Sequence, residues 1–228
     1  MNINDNLRSS LVNDRFVLQT KMNDRSIFIS MIEKITKGQK TKSEILKKAN
    51  ELFSIKGYES TGVDEIALAA NISSGVFYNY FNSKSELLKQ VVEIKIERSK
   101  ELLLVVQHKE SANDWILRIL KMYLSTEHRD LVHKSCPMTT LSQELVKLNL
   151  HNSVGLTAYG KEFAEILNRR LLMISSKNVG LASSVMSLCV GAVQLARLES
   201  DSMKSSQILN DAYTTATGLI QKRGTDAG

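Results

Sequence analysis

The residues with the most telling chemistry in this 228-residue chain lie between Ser73 and Lys84. Ser73-Ser74-Gly75-Val76-Phe77-Tyr78-Asn79-Tyr80-Phe81 reads as a short helix. Ser73 is a favourable N-cap, and Phe77 and Phe81, four positions apart, share one face. With both phenylalanines turned inward, a rotation of about 100° per residue leaves Gly75, Val76 and Asn79 pointing away, with Tyr78 and Tyr80 on the flanks. A face that small and polar suits a major groove about 12 Å wide. The flanking tyrosine hydroxyls reach phosphates. Ser73 and Ser74 bring free backbone N–H groups and the positive end of the helix dipole to the same backbone, and Lys84 adds a point charge. The other reading of these residues is structural: half-buried tyrosines packing a helical pair, and a solvated surface lysine.

Few other residues form a reactive constellation. His108, His128, His133 and His151 make neither an HExxH pair nor two histidines one turn apart, so no metal site is expected. There is no phosphate-cradling glycine loop and no G-x-S-x-G elbow; the chain reads as a non-enzyme without a cofactor. Cys136 and Cys189 are too few for a disulfide framework or a four-cysteine zinc site, and reduced thiols in a cytoplasmic protein are expected. Cys136 stands at a proline-marked helix start beside His133 and Lys134, a setting that favours a thiolate. A quiet buried thiol is the alternative.

These residues need helices to carry them. One proline and eleven glycines are too few for the turns of a sandwich or barrel, and the composition favours an all-α chain. Ile45, Leu46, Ala49, Leu52 and Phe53 form one stripe of a helix that Gly57 ends, with Thr41-Lys42-Ser43-Glu44 as a capping box at its start. Val63, Ile66, Ala67 and Ala70 mark a second, short helix, and Asn71-Ile72-Ser73 is a tight turn in which asparagine takes positive φ. Ser83-Lys84-Ser85-Glu86 opens a long helix toward Val106. Beyond it, helices are predicted over 113–125, 138–150, 159–175, 179–198 and 205–221, with a polar joint at 126–135. The net charge is +6. Half of that excess falls between Thr36 and Ser60, where six lysines face three glutamates, and suggests a basic face for a polyanion.

The stretch Ile45-Leu46-Lys47-Lys48-Ala49, Leu52-Phe53, Gly57-Tyr58, Thr61, Val63, Ile66-Ala67, Ile72-Ser73, Gly75, Phe77-Tyr78, Tyr80-Phe81, Ser83-Lys84, Glu86-Leu87-Leu88 resembles the TetR/AcrR family of bacterial transcriptional regulators. The likeness runs through about Val92. Asn71 stands where the family usually has glycine, and Val76 and Phe77 where a small or hydroxyl residue and leucine are common. The resemblance implies an N-terminal three-helix helix-turn-helix domain joined by a long helix to a C-terminal helical dimerisation and ligand-binding domain. It implies phosphate contacts from Thr61, Tyr78, Tyr80 and Lys84, base-edge approach by Ser74, Gly75, Val76 and Asn79 beside the Ser73 cap, and a basic arm at Lys40 and Lys42. Boundaries follow as a low-information extension over 1–38, a DNA-binding domain over 39–85 and a larger domain over 86–228. Translation starting at Met22 or Met31 is one account of the extension, and a genuine arm is another.

The implied partners are double-stranded operator DNA, a small-molecule effector and a second copy of the chain, with no membrane partner. Trp115, Met122, Tyr123, Cys136, Met138 and Phe163 are candidates to line an effector cavity, since aromatics and adaptable methionines suit apolar ligands. Leu188, Ala192, Leu195, Ile208, Ala212, Ala216 and Leu219 are candidates for the dimer interface, with packing inside one chain as the alternative. A repressor released by its ligand is the leading function. A thiol-based sensor using Cys136, and a helical carrier or structural DNA-binding protein, are the rivals.

Overall fold

The structure, a computed structural model, describes residues 37 to 107 and 109 to 225. The expected N-terminal extension, up to residue 36, lies outside the described residues. Among the described residues there are eleven α-helices and no strand: α1 Lys37–Lys56, α2 Val63–Ala69, α3 Ser74–Tyr78, α4 Lys84–Leu104, α5 Ala112–Tyr123, α6 Thr126–Asp130, α7 Pro137–Thr140, α8 Ser142–Lys147, α9 Leu156–Ile174, α10 Leu181–Leu198 and α11 Ser202–Thr225. The fold is all-α. From Lys42 onward the described residues form one compact unit.

The start of α1 departs from expectation. Lys37 to Lys40 are already helical, and the Thr41 hydroxyl donates to the Lys37 carbonyl (3.1 Å), so Thr41 is an interior residue and no capping box forms there. Lys40 and Lys42 are thus helical rather than part of a flexible arm. The end of α1 follows the glycine signal. Gly57, at φ 86°, donates its N–H to the Phe53 carbonyl (3.1 Å), the single-bond left-handed cap.

Helix α2 closes on a Schellman motif. The Ile72 N–H reaches Ala67 O (3.0 Å), the Asn71 N–H reaches Leu68 O (3.1 Å), and Asn71 takes φ 55°. Helix α3 begins where Ser73 Oγ accepts from the Val76 N–H (3.3 Å). Ser83 Oγ caps α4 through the Glu86 N–H (3.0 Å), and the Glu86 carboxylate reaches back to the Asn82 N–H (2.9 Å). One apolar core joins Ile45, Ala49, Phe53, Ile66, Phe77, Phe81, Leu87 and Val91.

The predicted helix over 138–150 is two helices, α7 and α8, broken at Leu141 (φ −125°, ψ −1°). The Thr139 and Thr140 hydroxyls both donate to the Cys136 carbonyl (2.9 and 3.3 Å), competing with the helical ladder. The segment 126–135 is not a plain joint. It folds as α6, capped by Ser125 Oγ accepting from the His128 N–H (3.0 Å), followed by a 3₁₀ turn over Val132–Lys134. Helix α10 is long and apolar enough to span a membrane by length and composition alone, yet Val185, Cys189, Val193 and Ala196 are buried in the core.

Candidate nucleic-acid interface and cavity

Helix α3 is held from behind. Phe77 is 0% and Phe81 1% exposed, with ring centroids 5.6 Å apart. On the other side Gly75, Tyr78 and Asn79 are exposed, with Tyr78 56% exposed, and Val76 and Ser74 are half-buried. Gly75 has no structural need to be glycine. A Cβ there would meet nothing nearer than Ser73 Oγ at 3.9 Å, and its φ is not in the left-handed region. A helical glycine costs roughly 0.5–1 kcal/mol against alanine, so the fold carries that cost without using it. What glycine does supply is a backbone bare on its outer side.

The remaining expected contacts are placed unequally. Tyr80 is half-buried and packs against the core. Lys42 is half-buried, its Nζ 5.5 Å from the Phe81 ring centroid. Ser74 Oγ donates to the Asp64 carboxylate, which ties α3 to α2. Lys84 Nζ donates to the carbonyls of Tyr58 (2.9 Å) and Thr61 (3.0 Å) and lies 4.1 Å from the Tyr58 ring centroid, so two of its three N–H donors are engaged. Thr61 departs most from expectation. It is fully buried, and its hydroxyl donates to the Gly57 carbonyl (2.8 Å), because the loop between α1 and α2 needs that donor more than the surface does. Its side chain is a brace for the loop, not a surface contact.

Farther along α4, beside Arg98 to Leu103, a cavity of about 250 Å³ opens between α4, α5, α6 and α9. Met122, Tyr123, Cys136 and Phe163 line it; Trp115 and Met138 do not. Trp115 is fully buried and satisfies its indole N–H on the Leu103 carbonyl (3.2 Å). Met138 is turned toward Gly160 on α9 by the proline-led turn. Leu103, Ile119 and Leu131 complete the apolar wall, and Tyr159, Ser99 and His128 add polar atoms. Cys136 Sγ sits 3.7 Å from Tyr159 Oη, and the Cys136 N–H donates to His128 Nε2 (3.1 Å). Burial pushes the Cys136 thiol up, so the thiolate that its helix-start position suggested is not favoured. Burial, with Arg197 nearby, pushes His128 down to about 4 and keeps the ring neutral.

A buried lysine links the two regions. Lys95, 5% exposed on α4, donates to the carbonyls of His133 (3.0 Å) and Val132 (3.3 Å) and to Ser54 Oγ on α1 (3.4 Å). Asn50 on α1 donates to the same His133 carbonyl (2.9 Å). The segment between Leu131 and Cys136, which walls the cavity, is therefore gripped by the helices that carry the helix-turn-helix. Arg197 on α10 holds the other side, donating to the carbonyls of Thr139 (2.8 Å), Arg129 (3.0 Å) and His128 (3.1 Å). None of these clamps was anticipated from sequence. The available signal was a cation inside an apolar stripe: Lys95 follows Leu88 by seven positions and Val91 by four.

The expected interface residues divide. Ala192 (6%), Ala212 (5%) and Ala216 (0%) are buried within the chain, where small side chains let α10 and α11 approach closely. They belong to the packing of one chain with itself. Leu188 and Ile208 are half-buried, while Leu195 (58%) and Leu219 (38%) are exposed.

Residues 45–91 match the family model described as bacterial regulatory proteins, tetR family. Among curated relatives, the uncharacterized HTH-type transcriptional regulator YuxN of Bacillus subtilis is 31% identical over 132 residues, covering 52% of this chain and 45% of that protein. The biofilm operon icaADBC HTH-type negative transcriptional regulator IcaR of Staphylococcus aureus is 33% identical over 70 residues, covering 31% and 38%. The chain thus spans less than half the length of these curated relatives. In fold it is similar to a TetR transcriptional regulator from Chloroflexus aurantiacus, with a TM-score of 0.67, 22% identity, and coverage of 81% of this chain and 96% of that one.

Proposed function

We propose that this chain, whose residues 45–91 match the tetR family model, is a ligand-responsive transcriptional repressor of the TetR/AcrR family that binds a palindromic operator as a homodimer. The observation that carries the reading is Gly75, a glycine that the fold does not require at the centre of the exposed face of α3. Its bare backbone lets the helix approach base edges closely, with Tyr78 and Lys84 on phosphate and Asn79 toward the groove. Two such helices related by a two-fold axis read half-sites about 34 Å apart. The exposed Leu195 and Leu219 supply the apolar face for the second copy.

The cavity is the effector site in this reading. A molecule that fills it acts on the segment from Leu131 to Cys136, and the Asn50 and Lys95 grips on His133 carry the displacement to α1 and α4. The shift in operator affinity equals the ligand's differential affinity for the two arrangements. The test is a gel-shift titration of Gly75→Gln on DNA selected by the wild-type chain. The variant folds at least as stably as wild type, because a helix interior prefers glutamine to glycine, and loses specific operator binding by about a hundredfold, of the order of two good base contacts. Retained operator affinity in a well-folded Gly75→Gln would sink the proposal.

A further inference from the structure

The mouth of the cavity carries a positive charge that nothing in the chain neutralises. Arg98 on α4 and Lys134 on the 3₁₀ turn both line the cavity and are both exposed, so they stand where it opens to solvent. Neither side chain forms an ion pair or hydrogen bond with any described residue. The two also lie close to one another. Burial lowers His133; Glu51 opposes the shift, and Lys134, Lys95 and Arg98 add to it, so both rim cations are within electrostatic reach of one imidazole.

The acids nearby are already engaged. Glu51 pairs with Lys48 (3.0 Å), Asp130 with Arg129 (2.6 Å) and Glu162 with Lys100 (3.0 Å). Glu127 on α6 is the single carboxylate among the described residues that line the cavity. Inside, burial raises Cys136 and Tyr159 and keeps both protonated, so the wall holds no negative charge. The wall is backed by cations instead. Arg197 donates to the carbonyls of Thr139, Arg129 and His128, and Lys95 to those of Val132 and His133, so neither charge is met by a carboxylate hydrogen bond.

Size and chemistry then divide the ligand into two parts. The volume of about 250 Å³ exceeds the roughly 150 Å³ that holds a benzene and falls below the roughly 300 Å³ where drug-sized sites begin. A one- or two-ring body fits, against Leu103, Ile119, Met122 and Phe163. An ion taken fully inside would lose its hydration at a large cost. At the mouth a charged head keeps its water and still meets two cations. Lys134 belongs to the turn whose His133 carbonyl Asn50 and Lys95 hold. A head drawn between Arg98 and Lys134 therefore acts on the segment that α1 and α4 grip.

We propose that the cavity takes an amphipathic carboxylate, with a one- or two-ring body between Leu103, Ile119, Met122 and Phe163 and the carboxylate at the mouth between Arg98 and Lys134. This rests on the reading of the cavity as the effector site. The test is calorimetric titration of the full chain with three probes of one shape: 2-indanylacetate, 2-indanylacetamide and 2-indanylethylammonium. The expected order places the carboxylate about tenfold tighter than the amide, within what two exposed ion pairs supply, and the ammonium weakest. Raising salt from about 0.05 M to about 0.5 M shrinks that preference, because exposed pairs are screened. In the double variant Arg98→Gln/Lys134→Gln, which alters only exposed side chains, the carboxylate falls to within about twofold of the amide. Equal binding of carboxylate and amide by the wild-type chain, tightest binding of the ammonium, an undiminished preference in the double variant, or no binding of any probe at millimolar concentration would each overturn the assignment. A gel shift with operator DNA separates this from the broader reading. If the carboxylate binds as expected and the operator stays bound, the effector role fails and the ligand class stands; if no probe binds while the operator is held specifically, the ligand class alone fails.

Discussion

Between Gly57 and Leu87 the hydroxyl side chains serve the backbone within a few positions, Thr61 holding Gly57, Ser73 holding Val76 and Ser83 holding Glu86, and Lys84 alone among the side chains named here reaches farther, 26 and 23 positions to Tyr58 and Thr61. Around the cavity the polar groups reach far along the chain. Lys95 spans 37 and 38 positions to Val132 and His133, Arg197 spans 58 to Thr139, and Asn50 spans 83 to His133. The buried side-chain polar atoms without a hydrogen-bond partner, among the described residues, also divide this way. Glu144, His151 and Asn178 carry such atoms, all outside the helix-turn-helix. A unit fixed by local caps keeps its shape whatever its neighbours do, as a reader of a fixed groove must. A unit closed by long clamps responds when something enters it.

The largest effect is expected where the contrast is broken outright. Phe77→Ala empties the centre of the helix-turn-helix core and costs about 3–5 kcal/mol. If the two regions are as separate in energy as their bonding suggests, urea denaturation shows that loss and operator binding disappears, while the fluorescence of the buried Trp115 is unchanged in the absence of urea. Loss of both together would show a single cooperative block.

A smaller effect is expected at the link. Lys95→Met removes a donor from the Val132 and His133 carbonyls, costing about 1–3 kcal/mol for groups left short of a partner, partly offset by the relief of a buried charge. Operator and ligand each still bind, but ligand no longer releases operator. Proton linkage gives the same residue a second signature. Burial holds Lys95 at about 7, with Cys136 raising it and Arg197 and Arg98 lowering it, against about 10.4 in an unfolded chain. Between those values the unfolded state binds more protons, so stability rises with pH, by up to about 1.4 kcal/mol per unit; below about pH 7 both states are protonated and this contribution is flat. Denaturation from about pH 6 to about pH 9 shows that rise in wild type. Its persistence in Lys95→Met would assign the slope to another group.

The same division decides what could be read from sequence. The inward phenylalanines, the Ser73 and Ser83 caps, the Gly57 stop and the positive φ at Asn71 are short-range signals, and the helix-turn-helix is made of them. Thr61 and Lys84 were harder to read, because their partners are loop carbonyls whose orientation no periodicity reports. The clamp at His133 joins α1, α4 and a 3₁₀ turn, so it exists only once the chain is folded. Trp115 and Met138 failed as cavity residues for a related reason: an apolar side chain in a helical stripe looks the same whether it faces a void or a neighbour. Ala192, Ala212 and Ala216 show the same ambiguity between packing within one chain and packing across two.

The smallest effect tests the rigidity of the reader itself. Asn71 occupies the left-handed position of the Schellman motif that turns α2 into α3. An ordinary L-residue pays roughly 1–2 kcal/mol there, and asparagine is among those that tolerate it best. Asn71→Gly removes the remaining strain but loosens the unfolded chain, and the two effects nearly cancel. Its expected change in stability is within about 0.5 kcal/mol, with operator affinity unchanged. Asn71→Ala has no such compensation and loses about 1 kcal/mol. If the turn were a hinge that ligand binding exploits, the added freedom of glycine would alter ligand-driven operator release even at constant stability. A local, capped unit predicts identical release curves for Asn71→Gly and wild type, measured by fluorescence anisotropy of labelled operator.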